Sequence, residues 1–307
     1  MTSSLIKAAR EAMATRFEVA LHGDDPVRLR AAANEALDEI SRLESLLSLH
    51  QPTSEIAHCN QRAANEPVPV SPEVFGLLQH CCKLTTDTDG AFDITIAPLM
   101  RCWSFINDTG VVPTEDEIET AKAATGMQHV ELDETTSTVR FRRENVMLDL
   151  GSIGKGHALQ TAAELLLENG FENFLIHGGT STITARGDQP GGTPWRVAIE
   201  HPDEGEPPIR IVDLQDTSLS VSGIGGKSFI DTDGREQGHV IDPRTGRPTQ
   251  AARVAAVLCP SATASDAFAT ALLTTGPALF SSLPPNLRAL TASMEERQIA
   301  LQTHNLD

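Results

Sequence analysis

The 307-residue sequence has no tyrosine, no long apolar run and few basic residues. No segment approaches the ~20 consecutive apolar residues of a membrane-spanning helix, and residues 1–12 contain no apolar run of signal-peptide length. A cytoplasmic location is therefore expected. With 24 Lys and Arg against 42 Asp and Glu, the formal charge is −18, which argues against nucleic acid or an anionic membrane as a partner.

Patterns typical of disulfides and zinc sites are also missing. The cysteines are odd in number, include one adjacent pair and form no CxxC motif; they are Cys59, Cys81, Cys82, Cys102 and Cys259. This usage indicates reduced, packing thiols in a reducing compartment. No two of the ten histidines form an HxH or HxxxH pair, so zinc is not expected.

The order of the elements predicts an α+β fold. Helices are expected from Pro26, from Pro72, after Thr114 (with Glu117 as a capping box) and over Ser265–Leu273, while Ser48 to Pro69 is expected to be irregular. Strands come in consecutive runs, near Phe174–Ile176, Ser181–Ala185, Trp195–Ile199, Ile211–Leu214, Leu219–Val221, Ser228–Ile230 and Arg253–Leu258. Consecutive strands favour antiparallel pairing over a doubly wound parallel sheet.

The most informative stretch is a glycine-rich loop at Gly151–Gly156. A buried strand is expected over Val146–Leu150 and a helix over His157–Asn169. Strand, glycine loop and helix together are suited to an anion, because loop N–H groups, the helix N-terminus and Lys155 all favour negative charge. The spacing fits neither a Walker loop nor a dinucleotide fingerprint, and a plain strand-to-helix turn explains the pattern equally well. An acidic protein that binds phosphate also needs local positive charge, for which a divalent cation is one source.

A second segment carries hard oxygen donors. Asp266 and Thr270 stand four residues apart, so on a helix they share one face. A carboxylate and a hydroxyl suit Mg²⁺ or Ca²⁺ rather than zinc. The alternative is a carboxylate that favours the helix N-terminus and a threonine that is simply packed.

Two further segments offer a base and a ligand contact. His239 precedes the turn Asp242-Pro243-Arg244-Thr245-Gly246, and a histidine near its ordinary pKa is the usual acceptor of a hydroxyl proton. A structural histidine beside a turn is the alternative. In Asp89 to Thr95, Phe92 and Asp93 would point to opposite sides of an extended segment, with Asp93 free to accept from ligand N–H groups; a simple turn into a strand explains the segment about as well.

Together these segments resemble the flavin transferases of the ApbE type, which move FMN from FAD onto a protein. The similarity covers Met13 to about Gly276 in the family's order. Its motifs are Met13-Ala14-Thr15-Arg16-Phe17, Ser48 to Asn60, Asp89 to Thr95, Asp149 to Gly156, His239 to Gly246 and Asp266 to Thr270.

The resemblance implies one ApbE-like domain over residues 1–307, built of mostly antiparallel mixed sheets flanked by helices. Two intertwined lobes would enclose a ligand cleft, and residues 1–12 and 284–307 would be peripheral. The expected flavin-nucleotide residues are Met13, His50, Ala91, Phe92, Asp93, Asp149, Lys155 and Ile241. Mg²⁺ would be bound by Asp266, Thr270 and the backbone carbonyls of Ser152 and Ala269, and His239 falls on the catalytic histidine.

The reaction implied is attack of an acceptor protein's Thr or Ser hydroxyl on the FMN-side phosphorus of FAD, with AMP leaving. Some residues differ from the family pattern. His50 stands where an aromatic Tyr or Phe is usual, and His177-Gly178-Gly179-Thr180 replaces Asn-x-Gly-Gly-Asp. Two alternatives stay open: a Mg²⁺-dependent FAD pyrophosphatase that gives FMN and AMP, and a flavin-binding protein without transfer chemistry.

Overall fold

A computed structural model describes residues 4–106, 110–225, 228–295 and 298–306. In these ranges the α-helices are α1 (Pro26–Leu47), α2 (Glu55–Arg62), α3 (Pro72–Asp87), α4 (Ala97–Cys102), α5 (Glu115–Ala123), α6 (Gly154–Glu168) and α7 (Ala262–Thr275). The strands up to the middle of the chain are β1 (Ser4–Ala12), β2 (Thr15–Gly23), β3 (Val68–Pro69), β4 (Val130–Asp133), β5 (Thr138–Phe141), β6 (Phe174–Gly178), β7 (Thr182–Arg186), β8 (Trp195–Ile199) and β9 (Arg210–Leu214). The later strands are β10 (Thr217–Gly223), β11 (Ser228–Ile230), β12 (Glu236–Gly238), β13 (Ile241–Asp242), β14 (Arg247–Pro248), β15 (Val254–Cys259), β16 (Arg288–Glu295) and β17 (Gln298–His304).

The main sheet has eight strands in the order β1-β2-β6-β7-β10-β15-β16-β17, and every neighbouring pair is antiparallel. A two-residue turn, Met13-Ala14, joins β1 to β2. The α+β prediction with antiparallel sheets is confirmed. The division into two lobes around a cleft, and the single domain, stay predictions.

Helices cover one face of this sheet and a hairpin covers the other. Alternate residues of β15 show the division: Ala255 and Val257 join the core that contains α1, α6 and α7. Val254, Ala256 and Leu258 join a second core with the β8–β9 hairpin. Period-two alternation therefore buries both faces of the central strands. Among the described residues, no helix is long and apolar enough to cross a bilayer.

The helix-start signals in the sequence are confirmed. Asp25 caps α1 by accepting hydrogen bonds from the N–H groups of Val27 and Arg28. Ser71 caps α3 in the same way, and α5 begins with a capping box formed by Thr114 and Glu117. The region expected to be irregular contains α2, which Ser54 caps by accepting from the N–H of Ala57 at 2.9 Å.

Two sequence predictions near the glycine loop are wrong. Residues 146–150 are mostly buried but form no strand, because their backbone hydrogen-bond partners do not belong to a strand. The side-chain amide of Asn60 donates to the carbonyl of Leu148 and accepts from its N–H. The N–H of Asp149 donates to the carbonyl of Ile94 at 2.7 Å. The helix expected from His157 begins three residues earlier, at Gly154.

The C-terminal tail is also packed into the main sheet to a greater extent than expected. Residues 284–307 were predicted to be peripheral, but β16 lies inside the main sheet between β15 and β17. Leu290 and Ala292 of β16 are fully buried against the second core. The N-terminal residues 4–12 form the opposite edge strand. Burial of the consecutive residues Ala289 to Ala292 on both faces of the sheet, rather than any motif, secures this tail.

Candidate active site

The glycine loop places Lys155 in the first turn of a helix. Asp149 shapes the loop, since its Oδ1 accepts a hydrogen bond from the N–H of Gly151 at 2.8 Å. Ile153 occupies the N-cap position of α6 and offers no capping side chain. The first-turn N–H groups of α6 therefore need partners from elsewhere.

Asp266 of α7 supplies one of these partners. Its Oδ2 accepts a hydrogen bond from the N–H of Gly156 at 2.9 Å, and its Oδ1 accepts from Oγ1 of Thr182 in β7 at 3.3 Å. The Asp266 side chain is buried; desolvation raises its pKa, while the charge of Lys155 acts in the opposite direction. The two segments that were predicted to converge from sequence are thus in direct contact.

The contact depends on the absence of a side chain at Gly156. A Cβ there would stand 2.3 Å from the carbonyl oxygen of Ala262 and 2.7 Å from Cβ of Asp266. Helices α6 and α7 consequently approach each other backbone to backbone at this point. The glycine of the loop thus serves close helix packing as well as turn formation.

The remaining predicted metal ligands lie along the same stretch of α7 and before α6. Oγ1 of Thr270 lies 3.3 Å from the carbonyl oxygen of Asp266 and 3.4 Å from Oγ of Ser222 in β10. Ala269 is buried on α7, and half-buried Ser152 precedes α6. The described residues contain no group of three or more His, Cys, Asp or Glu side chains placed to bind a metal. One carboxylate with hydroxyl and carbonyl oxygens fits a hard cation such as Mg²⁺ better than a transition metal.

The segment from Asp89 to Thr95 is a turn that is buried from Ala91 onward. Asp89 and Gly90 both have positive φ, at 49° and 73°. Ala91, Phe92 and Asp93 are all buried, and the segment forms turns and bends instead of the extended strand entry that was expected. The N–H of Asp149, which donates to the carbonyl of Ile94, ties this turn to the glycine loop.

Asp93 has partners inside the protein on both of its carboxylate oxygens. Oδ1 accepts from the N–H and Oγ1 of Thr95 at 2.7 and 2.6 Å, and Oδ2 accepts from the N–H of Met127 at 3.1 Å. Burial raises the pKa of Asp93, and these hydrogen bonds lower it. Asp93 therefore holds the segment around Met127 in place, and its contact with a flavin stays a prediction.

His239 lies half-buried between β12 and β13, directly before the Asp242–Gly246 turn. That turn is held from within: the carboxylate of Asp242 accepts from Nε and Nη2 of Arg244 at 2.9 and 2.8 Å, and the N–H of Gly246 donates to the carbonyl of Asp242 at 2.8 Å. The aliphatic part of Arg244 lies against Gly90, which brings this segment next to the Asp89–Thr95 turn.

Trp103, which the sequence reasoning missed, anchors the same turn from outside. Its Nε1 donates to the carbonyl of Gly246 at 2.8 Å, and its ring packs with Ile118 and the predicted ligand residue Ile241. Gly246 has φ +74°, and a Cβ there would meet Ile118 at 2.8 Å. Trp103 follows α4 and is far from the turn in sequence, so only the folded structure reveals this contact.

Met13 and His50 both have contacts near the C-terminal end of α1. The N–H of Met13 donates to Oε1 of Glu44 at 2.7 Å. His50 is exposed, and its backbone N–H donates to Oγ of Ser48 at 3.2 Å. A surface depression of about 550 Å³ lies elsewhere, between α4, α5 and Arg143, and none of the predicted site residues lines it.

Comparison with known proteins identifies the family. The family model described as "ApbE family" matches residues 13–291. The chain belongs to the ApbE family. A relative from Salmonella typhimurium, named FAD:protein FMN transferase, is 31% identical over 270 residues, which are 86% of this chain and 77% of that protein. The Escherichia coli K12 protein of the same name is 30% identical over 271 residues, with the same shares of the two chains.

Solved ApbE structures have the same fold. The ApbE protein from Thermotoga maritima superposes with a TM-score of 0.88 at 25% identity, over 98% of this chain and 97% of that one. The flavin transferase ApbE from Vibrio cholerae gives a TM-score of 0.84 at 25% identity, over 99% and 98% of the two chains. The fold predicted from the resemblance is therefore confirmed.

Proposed function

We propose that this ApbE family protein transfers FMN from FAD to a Thr or Ser hydroxyl of an acceptor protein and releases AMP. The observation that supports the proposal most directly is the contact between Gly156 and Asp266. It sets the cationic first turn of α6 beside a buried carboxylate, as binding of a pyrophosphate and a cation requires. The names of the curated relatives supply the reaction class.

The metal proposed is Mg²⁺, bound by Asp266, Thr270 and the carbonyl oxygens of Ser152 and Ala269. When bound, the cation would neutralise charge on the pyrophosphate oxygens of FAD. Lys155, whose charge already acts on Asp266, supplies a second positive charge. In a protein with a formal charge of −18, these two local charges would offset the repulsion of a diphosphate.

His239 is proposed to accept the proton of the attacking hydroxyl. The acceptor oxygen forms a bond to the FMN-side phosphorus, the bond from that phosphorus to the bridging oxygen breaks, and AMP carries the bridging oxygen away. Trp103 and Gly246 would hold the turn after His239 so that the imidazole keeps its direction. Met13, His50, Ala91, Phe92, Asp93, Asp149 and Ile241 are proposed to contact the FAD.

Mass spectrometry tests the proposal. The protein is incubated with FAD, Mg²⁺ and an acceptor domain that bears the attachment Thr, and the acceptor is examined for a covalent FMN adduct. An adduct that disappears in EDTA supports transfer and its dependence on the cation. Free FMN and AMP without an adduct would indicate the pyrophosphatase instead, and intact FAD would indicate a protein that only binds flavin.

A further inference from the structure

The helix α7 meets the main sheet through paired hydroxyl groups rather than apolar side chains alone. Ser218, Ser220 and Ser222 alternate along β10 and therefore share its α7 face. Oγ of Ser220 lies 2.8 Å from Oγ of Ser265, and Oγ of Ser222 lies 3.4 Å from Oγ1 of Thr270. Buried hydroxyls are costly unless they are paired, so each pair fixes the position of the helix on the sheet.

The two pairs differ in exposure. Ser220 and Ser265 are both fully buried, whereas Ser222 and Thr270 are half-buried. The outer pair is thus the one that a ligand entering from solvent can reach. It also contains Thr270, the hydroxyl proposed above to bind Mg²⁺.

A hydroxyl that gives a lone pair to a cation becomes a stronger hydrogen-bond donor and needs an acceptor for its proton. Thr270 has two neighbours that can accept: the carbonyl of Asp266 at 3.3 Å, and Oγ of Ser222 at 3.4 Å. The carbonyl belongs to the preceding turn of the same helix. Ser222 lies on β10 rather than on α7. A hydrogen bond to Ser222 therefore fixes the Thr270 rotamer relative to the sheet, which a bond to the Asp266 carbonyl does not.

We infer that Ser222 is a positioning residue for the cation site: its hydroxyl accepts the Thr270 proton and holds the Thr270 oxygen toward the metal. The inference rests on the proposed function, since it assumes that Thr270 binds the cation. It assigns to β10 a part in a site that the sequence motifs place only on α7 and the glycine loop.

The test measures cation binding and not activity. Mn²⁺ is titrated into the protein, and free Mn²⁺ is followed by electron paramagnetic resonance. Ser222→Ala is expected to weaken Mn²⁺ binding about tenfold or more, the usual effect of losing a partner of a metal ligand. Ser222→Thr, which keeps a hydroxyl, is expected to restore most of the affinity.

Ser220→Ala is the matched control on the same strand and the same face. It removes a hydroxyl pair of α7 but not the one at Thr270, so Mn²⁺ affinity is expected to stay within about twofold. In a Thr270→Val background, Ser222→Ala is also expected to change the affinity by less than about twofold, because the residue through which it acts is gone.

The outcomes separate this inference from the proposed function. Wild-type affinity in Ser222→Ala, or equal losses in Ser220→Ala and Ser222→Ala, would overturn the role of Ser222 while leaving the cation site in place. Absence of Mn²⁺ binding by the wild-type protein would overturn the cation site itself and the inference with it.

Discussion

The N–H of Gly156, in the first turn of α6, donates a 2.9 Å hydrogen bond to Oδ2 of Asp266, which lies 110 residues later in α7. Asp266 thereby accepts a hydrogen bond from a first-turn N–H of α6, which an adjacent N-cap residue normally does. The interaction joins two segments that lie far apart in the sequence.

This close approach predicts opposite effects of alanine at two neighbouring glycines. Gly156→Ala would place a Cβ 2.3 Å from the Ala262 carbonyl, so we expect the free energy of unfolding to fall by about 1–3 kcal/mol. Gly154→Ala meets nothing within 4 Å and is expected to be neutral or stabilising by up to ~1 kcal/mol. Urea unfolding measures both, and equal losses would contradict the packing argument.

The turn between β1 and β2 predicts a stabilising substitution. Met13 and Ala14 both have positive φ, at 49° and 57°, a conformation that glycine adopts without strain. Ala14→Gly is therefore expected to raise the free energy of unfolding by ~1 kcal/mol. The control, Ala9→Gly in the adjacent exposed part of β1, should lower it by ~0.5–1 kcal/mol. A loss at both positions in denaturant unfolding would argue against strain at Ala14.

The proposed base predicts a variant that binds but does not transfer. His239→Ala should bind FAD as the wild-type protein does, yet lose roughly 10²–10⁴-fold in the rate of adduct formation. Single-turnover mass spectrometry gives the rate, and fluorescence titration gives FAD affinity. The exposed His58 provides the control, because His58→Ala should change neither. Transfer at the wild-type rate in His239→Ala would remove this residue from the mechanism.

The two tryptophans make a matched pair for testing the Asp242–Gly246 turn. Trp103→Phe keeps an aromatic ring but leaves the Gly246 carbonyl without its donor, which is expected to cost about 1–3 kcal/mol of stability. Transfer should slow as well, since the turn follows His239. Trp195→Phe removes a 3.3 Å hydrogen bond to the Arg186 carbonyl in the second core, a different cluster from that of Trp103. It should affect stability only. Equal slowing of transfer by the two variants would show a general loss of folding instead.

His157 predicts a loss of stability on acidification. Burial lowers the pKa of His157; Glu73 and Glu164 act to raise it, and His80 and Arg42 act to lower it. Among the described residues, no hydrogen-bond partner reaches its buried Nε2. Above its ordinary pKa of about 6.5, His157 is neutral in both the folded and unfolded states, so it imposes no penalty. As the pH falls below that value, the unfolded chain binds the proton first, and the free energy of unfolding decreases.

The measurement is urea unfolding at intervals between pH 7.5 and pH 5. His157→Gln, which does not titrate, should lose less stability than the wild-type protein over this range. His58→Gln, at an exposed position, should follow the wild-type curve. Parallel curves for His157→Gln and the wild-type protein would show that His157 makes no contribution.

Local chemistry in the sequence determined the elements with strong signals. Asp25-Pro26, Ser71-Pro72 and the Thr114–Glu117 box each specify a helix start, because their side chains satisfy backbone N–H groups within a few residues. The consecutive order of the strands likewise indicated an antiparallel sheet. The motifs of the candidate site were recognisable for the same reason, since each is a short stretch with its own turn chemistry.

Only the tertiary structure decided what depends on partners distant in the chain. Residues 146–150 carry the apolar pattern of a strand, yet Asn60 and Ile94 take their hydrogen bonds. The tail looked peripheral, yet β16 is buried between two strands. Trp103, Thr182 and Ser222 show no motif at all, and they reach Gly246, Asp266 and Thr270 through long-range contacts. Periodicity and capping act over a few residues, whereas these contacts exist only once the whole chain has packed.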